Sequence, residues 1–310
     1  MHDCLQCKLY ETCECKDKQQ EKDPFLPKNL EMPFVAYGLF QPGQLGFLRI
    51  KDLVEEASEF MIPGRLYIRD GIPLLKRDEP DKVSGHILRF RTGCSQDGYN
   101  QISAIEPNKQ YLWETINIEN GGRANILVGR SPESGSLPLE DSQTWDGQDD
   151  PAFKEALIII DSVIEKCKTG RENLMKDIKP FFQAQMAYLL LWSSIERYAT
   201  LRYGLGSDGI IQRIKKVAEE PSFGEALKEQ VHDPRKIYRS DNIKKLPLDP
   251  LNPIHSIQYY YQVRSNITHR GKAAYHDFDA VFNSLSELSA IFKHVKDRAF
   301  EEAKLQAKCE

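Results

Sequence analysis

The stretch SIQYYYQVRSNITHRGK, residues 256–272, has the apolar spacing of a helix. Tyr260, Val263 and Ile267 fall on one stripe, with Tyr261, Arg264 and Thr268 beside it, so the Arg264 guanidinium emerges at the edge of a helix-packing surface. Gly271 is placed to end the helix, and His269 stands in its last turn, where the ring can turn toward the same cleft. An arginine and a histidine at this spacing combine a base for a hydroxyl proton with a cation for a phosphate. Many helical proteins carry such a pair by chance, so the surrounding chain decides what it means.

Helical periodicity extends on both sides of this stretch. PAFKEALIIIDSVIEKCK, then IKPFFQAQMAYLLLWSSIERYATLRYG with Gly204 as its stop, then GIIQRIKKVAE precede it, and FDAVFNSLSELSAIFKHVKDRAFEEAKLQ follows. A Pro-broken loop, KKLPLDPLNP, leads into the Arg/His helix. Residues 152–310 are therefore expected to form an all-α bundle. Upstream, SPESGSLPLEDSQTWDGQDD is too polar to pack as an element, which makes 131–151 a linker. Residues 32–130 instead show short β-branched and aromatic runs between turn residues: FVAYGLF, GRLYIRDGIPLL, SGHILRFR, QYLWETINI and RANILVGR. That pattern predicts a mostly β domain, interrupted by a helix around Ile50–Phe60 and a short one near Tyr99–Ile105. The whole is an α+β chain of two domains, preceded by a Cys-rich segment and tether over 1–31.

Composition bounds the function classes. The 310 residues are 40% apolar and 28% charged, with a net charge of −4, and no run approaches a bilayer span, so the expected place is the cytoplasm and no membrane partner is implied. Overall charge carries no nucleic-acid signal. Arg213, Lys215, Lys216, Arg235, Lys236, Arg239, Lys244 and Lys245 nevertheless gather in the C-terminal half, either as a phosphate-attracting surface or as solvated faces. Cys4, Cys7, Cys13 and Cys15 crowd the N-terminus and read either as a structural zinc knuckle with four thiolates or as a thiol-rich tail.

YYQVRSNITHRGK resembles the signature helix of the HEPN family, and WSSIERYATLRYG resembles the long helix that accompanies it. The resemblance covers most of residues 150–310. It implies an up-and-down helical bundle that dimerises and joins two Arg/His pairs in one cleft. Active members cut RNA there without a metal cofactor, leaving a 2′,3′-cyclic phosphate. Carried over by position, Arg264 stabilises the phosphate, His269 is acid or base, and Asn266 orients them. Glu196 shares a helix face with Leu189 and Trp192; it is a candidate catalytic carboxylate partnered by Arg264 or Arg197, or else a plain surface ion pair.

The β domain carries a second resemblance. Phe34–Gly43, reading FVAYGLFQPG, places an aromatic-Gly turn after an apolar strand, and Glu106 precedes Tyr111 in SAIEPNKQYLWETINI. Together with PGRLYIRDGIPLL, SGHILRF and RANILVGR, these segments resemble the γ-glutamylcyclotransferase-like family over residues 33–130, which implies a mixed barrel. By that resemblance Tyr37, Gly38, Leu39, Phe40 and Tyr111 bind a small molecule and Glu106 shuttles a proton. Leu39 departs from the family pattern, where a small hydroxyl residue is usual, so a ligand-sensing domain or one of modified activity is expected. The leading expectation is a homodimeric endoribonuclease regulated by its β domain, an arrangement suited to a toxin or antiviral effector. The others are a cyclotransferase with a non-catalytic, nucleotide-binding bundle, and a non-catalytic interaction protein.

Overall fold

The computed structural model describes residues 25–106, 108–118, 121–139, 144–170, 177–204, 209–238, 245–270 and 277–307, so the cysteine cluster at Cys4, Cys7, Cys13 and Cys15 lies outside the described residues. The architecture is α+β, strands first and helices after. Strand β1 (Phe34–Ala36) is wholly buried because it lies inside a five-stranded sheet. Its neighbours are β5 (Lys82–Phe90), antiparallel, and β7 (Arg123–Gly129), parallel. β2 (Val54–Pro63) and β6 (Tyr111–Asn117) form the two edges. A second sheet joins β4 (Ile72–Lys76), β3 (Arg65–Arg69) and β8 (Leu137–Pro138). Two short helices, α1 (Phe47–Ile50) and α2 (Ser95–Ser103), complete the unit.

Three expectations are corrected here. The helix expected over Ile50–Phe60 is mostly strand: only Phe47–Ile50 is α-helical, and Val54–Pro63 pairs along β5 from Val54↔Phe90 to Pro63↔Lys82. Glu55, Glu56, Ala57 and Glu59 favour a helix locally, but edge pairing outweighs that preference, and the exposed Glu55, Glu56 and Glu59 discourage a further strand from adding. The expected linker packs: β8 pairs with Tyr67 and Ile68, and the Trp145 ring is buried with its Nε1 donating to the Gly71 carbonyl at 3.3 Å. The C-terminal unit is not all-α, because β9 (Arg235–Tyr238) and β10 (Lys245–Leu248) form an antiparallel hairpin inside it.

The helices are α3 (Glu155–Gly170), α4 (Lys179–Tyr203), α5 (Ile210–Glu219), α6 (Pro221–Gln230), α7 (Pro253–Arg270) and α8 (Phe278–Ala307). α4 is central, packing against α3, α5, α7 and α8, because Phe181, Ala184, Tyr188, Leu191, Ile195, Tyr198 and Ala199 repeat at helical spacing on its buried side. It ends as expected at Gly204, whose φ of 82° suits glycine and whose N–H closes onto the Thr200 carbonyl at 2.8 Å. Among the described residues no helix is long and apolar enough to cross a membrane.

One hydrophobic core runs through both units. Where they meet, Arg197 of α4 reaches Asp150, which is 3% exposed: Nε donates to Oδ2 at 2.9 Å and Nη2 lies 2.8 Å from the same oxygen. Asp150 also accepts from the Ala152 N–H at 2.9 Å, and Arg197 donates to the Asp70 carbonyl in the β3–β4 turn at 3.3 Å. Removing one member of such a buried pair strands the other. Arg197→Leu is expected to lower unfolding stability by about 3 kcal/mol, measured by urea denaturation, whereas Arg89→Leu, at an exposed pair with Glu56, should change it by well under 1 kcal/mol, on the order of a surface pair.

Candidate functional site

Glu106 sits just beyond α2, in the turn that leads to β6, and is only 8% exposed. No other described residue hydrogen-bonds its carboxyl group. Burial pushes its pKa up to about 8, and the Arg197 charge offsets part of that rise. The site therefore holds a carboxyl group that exchanges its proton near neutral pH.

Tyr37, Gly38, Leu39, Phe40 and Tyr111 line one cavity with Glu106. Gly38 is required by close approach, since a Cβ there would lie 2.7 Å from Pro73 Cγ. The phenols serve the scaffold: Tyr37 donates to the Leu127 carbonyl at 2.7 Å, and Tyr111 to the Pro73 carbonyl at 2.8 Å. Burial and then the neighbouring Glu106 raise both phenol pKa values. The cavity itself is about 20 Å³, room for a single water, and Phe34, Leu39, Phe40, Pro73 and Leu127 are among its apolar walls.

A larger space opens on another side of Glu106. This cavity, about 230 Å³, is walled by Leu39, Ile72, Pro73 and Ile105 from the β unit, Trp145 from the connecting segment, and Arg197, Thr200 and Leu201 from α4. The sequence reading missed these last contributors, and only the adjacency of Arg197 to Glu196 could have hinted at them. The ligand space is composite, closed by the helical unit.

The second site lies where α4 crosses α7. Trp192 packs edge-on against Tyr261, ring centres 5.4 Å apart, and the Arg264 guanidinium sits 5.4 Å from the same Tyr261 ring. Arg264 Nη2 is 3.8 Å from Glu196 Oε1, with both side chains about one-third exposed at 31% and 32%. This is a loose, accessible pair, so a phosphate can compete for the guanidinium. Glu196 thus pairs with Arg264, while its neighbour Arg197 turns to Asp150; successive helix positions point about 100° apart.

Asn266 lies elsewhere on α7, bound to the hairpin: Nδ2 donates to the Tyr238 carbonyl at 3.0 Å, and Oδ1 accepts from Gln262 at 2.9 Å. His269 belongs to the last turn of α7, but its side chain, like Gly271, lies outside the described residues. On the buried side, Arg235 forms a bidentate pair with Glu287, while Tyr259 and Tyr260 add hydrogen bonds of 3.0 and 2.9 Å. That network fixes α7 and was invisible in the sequence because its members are far apart. No group of three potential metal ligands occurs among the described residues.

Glu106 sets a stability signature. Its folded pKa of about 8 lies above the ordinary 4.5, so between those values the folded state holds more protons than the unfolded one and stability falls as pH rises. Glu106→Gln removes that loss. Its stability relative to wild type is expected to climb from pH 4.5 to pH 8 by on the order of a few kcal/mol, then level off, and chemical denaturation across this range checks it. A difference independent of pH would contradict the buried protonated carboxyl.

No family model, curated protein or solved structure matches the chain.

Proposed function

We propose that the protein is a metal-independent endoribonuclease of HEPN type, acting through Arg264 and His269, with the Glu106 unit serving as its ligand sensor. The observation that carries this reading is the state of Arg264. Its guanidinium is held over Tyr261 at a helix crossing, remains accessible, and among the described residues meets a carboxylate at 3.8 Å, that of Glu196. In the proposed reaction His269 takes the proton of a ribose 2′-hydroxyl, whose oxygen then attacks the adjacent phosphorus. Arg264 offsets the negative charge that gathers on the phosphoryl oxygens as the bond to the 5′-oxygen breaks. The departing oxygen takes a proton from the acid of the site, leaving a 2′,3′-cyclic phosphate and a 5′-hydroxyl end.

A homodimer through the helical unit would supply that acid from the second Arg/His pair. Phe182 and Met186, one turn apart on α4 and 46% and 72% exposed, are apolar groups of the kind a partner covers. The sensing role draws on α4, whose Glu196 touches Arg264 and whose Arg197 walls the Glu106 cavity. A ligand that displaces Arg197 would strain the helix that restrains Arg264.

One observation favours a second reading, a γ-glutamyl cyclotransferase with a dimerising bundle: the proton on Glu106 is exchangeable near neutral pH. The roughly one-water space beside Tyr37 and Gly38 weighs against it.

Incubation of the full chain with total RNA and with tRNA in EDTA tests the proposal. Cleavage is expected to leave cyclic phosphate ends and to fall by about 100-fold or more in Arg264→Ala and in His269→Ala. Undiminished cleavage in both variants would refute the assignment. Release of 5-oxoproline from γ-glutamyl compounds, lost in Glu106→Gln, would support the second reading instead.

A further inference from the structure

Beside the last two turns of α7 lies a cavity of about 210 Å³ that neither candidate site uses. Its apolar floor comes from Val263 and Ile267 of α7 and Val281 of α8. Tyr238 of the β9–β10 hairpin stands at its rim, 49% exposed. Lys245 lies opposite Tyr238 in the hairpin register, with its Nζ 4.5 Å from the ring centre. Lys236, two positions away and so on the same face of the strand, also lines the cavity. The hairpin is tied to the catalytic helix, because Asn266 donates to the Tyr238 carbonyl at 3.0 Å. The polar edges are Gln185, whose amide has no hydrogen-bond partner among the described residues, and the Asp277 carboxylate.

We infer that this cavity holds one unpaired nucleobase of the RNA substrate, stacked on Tyr238 with its edge read by Gln185 and Asp277, while Lys236 and Lys245 meet the flanking phosphates. The inference rests on the ribonuclease reading and extends it to substrate class: single-stranded RNA, or a loop with a base turned out. A flat aromatic wall, an apolar floor and amide and carboxylate groups at the edge suit a nucleobase, which has two apolar faces and a rim of donors and acceptors. Lysines along one face suit the chain that carries it. Val263 and Ile267 of the cavity floor adjoin Arg264 on the α7 surface, one residue before it and three after, so the cavity and the guanidinium occupy neighbouring faces of the same turns of the helix. A paired base is excluded, since its partner and its stacked neighbours have no place in a space of this size.

The test uses the full-length protein and fluorescent oligoribonucleotides with every 2′-hydroxyl methylated, so that binding is read without cleavage. Tyr238→Ala is expected to weaken single-strand binding by about ten-fold, Tyr238→Trp to retain it, and neither to change binding of a duplex of the same sequence. Ala280→Phe, which adds bulk at the cavity wall, should act like Tyr238→Ala, with far-ultraviolet circular dichroism checking its fold. Equal binding by wild type and Tyr238→Ala overturns the inference. So does an equal loss on duplex RNA, which would mark a charge contact, or binding of free nucleoside monophosphates but not of the oligomer. Parallel cleavage of unmodified RNA separates the two levels. Wild type that cuts, with Tyr238→Ala binding and cutting equally well, sinks the base pocket alone; wild type that neither binds nor cuts sinks the ribonuclease reading with it.

Discussion

A buried ion pair, Arg197 with Asp150, ties α4 to the connecting segment and to the β3–β4 turn. Asp150 is 3% exposed and would be costly without its partner. The position is demanding on all sides. Asp150 turns the chain into the helical unit by accepting from the Ala152 N–H, and Arg197 also holds the Asp70 carbonyl of the β3–β4 turn. Next to it, Gly71 has a φ of 75°, and a Cβ there would meet Asp150 Oδ1 at 3.0 Å. The Gly71 carbonyl in turn accepts from Trp145. Turn, connecting segment and helix thus converge within a few ångströms, and the cavity beside Glu106 exists because they do.

Electrostatics divides labour between neighbouring positions of that helix. Arg197 is committed to a buried carboxylate and lends only part of its field to Glu106, which keeps a high pKa because burial dominates. Glu196 meets Arg264 at the surface, where solvent weakens the pair and leaves the guanidinium open to competing anions. A tight contact anchors the helix and a loose one leaves the arginine available. In the proposed account, those two contacts on consecutive residues let the state of the β unit reach the phosphate-binding group.

Much of the helical unit was legible because its signals are local. The apolar stripe of α4, its Gly204 stop and the Tyr260/Val263/Ile267 face of α7 follow from spacing alone. Glu106 and the Tyr37–Phe40 loop line one cavity, a grouping that the family resemblance implied and that their spacing alone did not. What could not be read was set by distant partners. Val54–Pro63 has helix-forming residues but is claimed by β5, and the polar segment holding Trp145 packs because β3 and Gly71 offer it bonds. The β9–β10 hairpin hides in a Pro-containing stretch, where Leu248 is buried although its neighbours look like loop. Arg197 reads as an ordinary helix cation until Asp150, 47 residues away, is brought to it.

In the proposed mechanism α4 joins the Glu106 cavity and the Arg264 crossing into one mechanical unit. Hydrogen–deuterium exchange of Arg197→Gln against wild type tests it most directly, with no dependence on any substrate. Lost protection is expected to extend from the β3–β4 turn through the last two turns of α4 and across to α7 around Tyr261 and Arg264. Loss confined to the β3–β4 turn and the Trp145–Asp150 segment, with α7 unchanged, would contradict it.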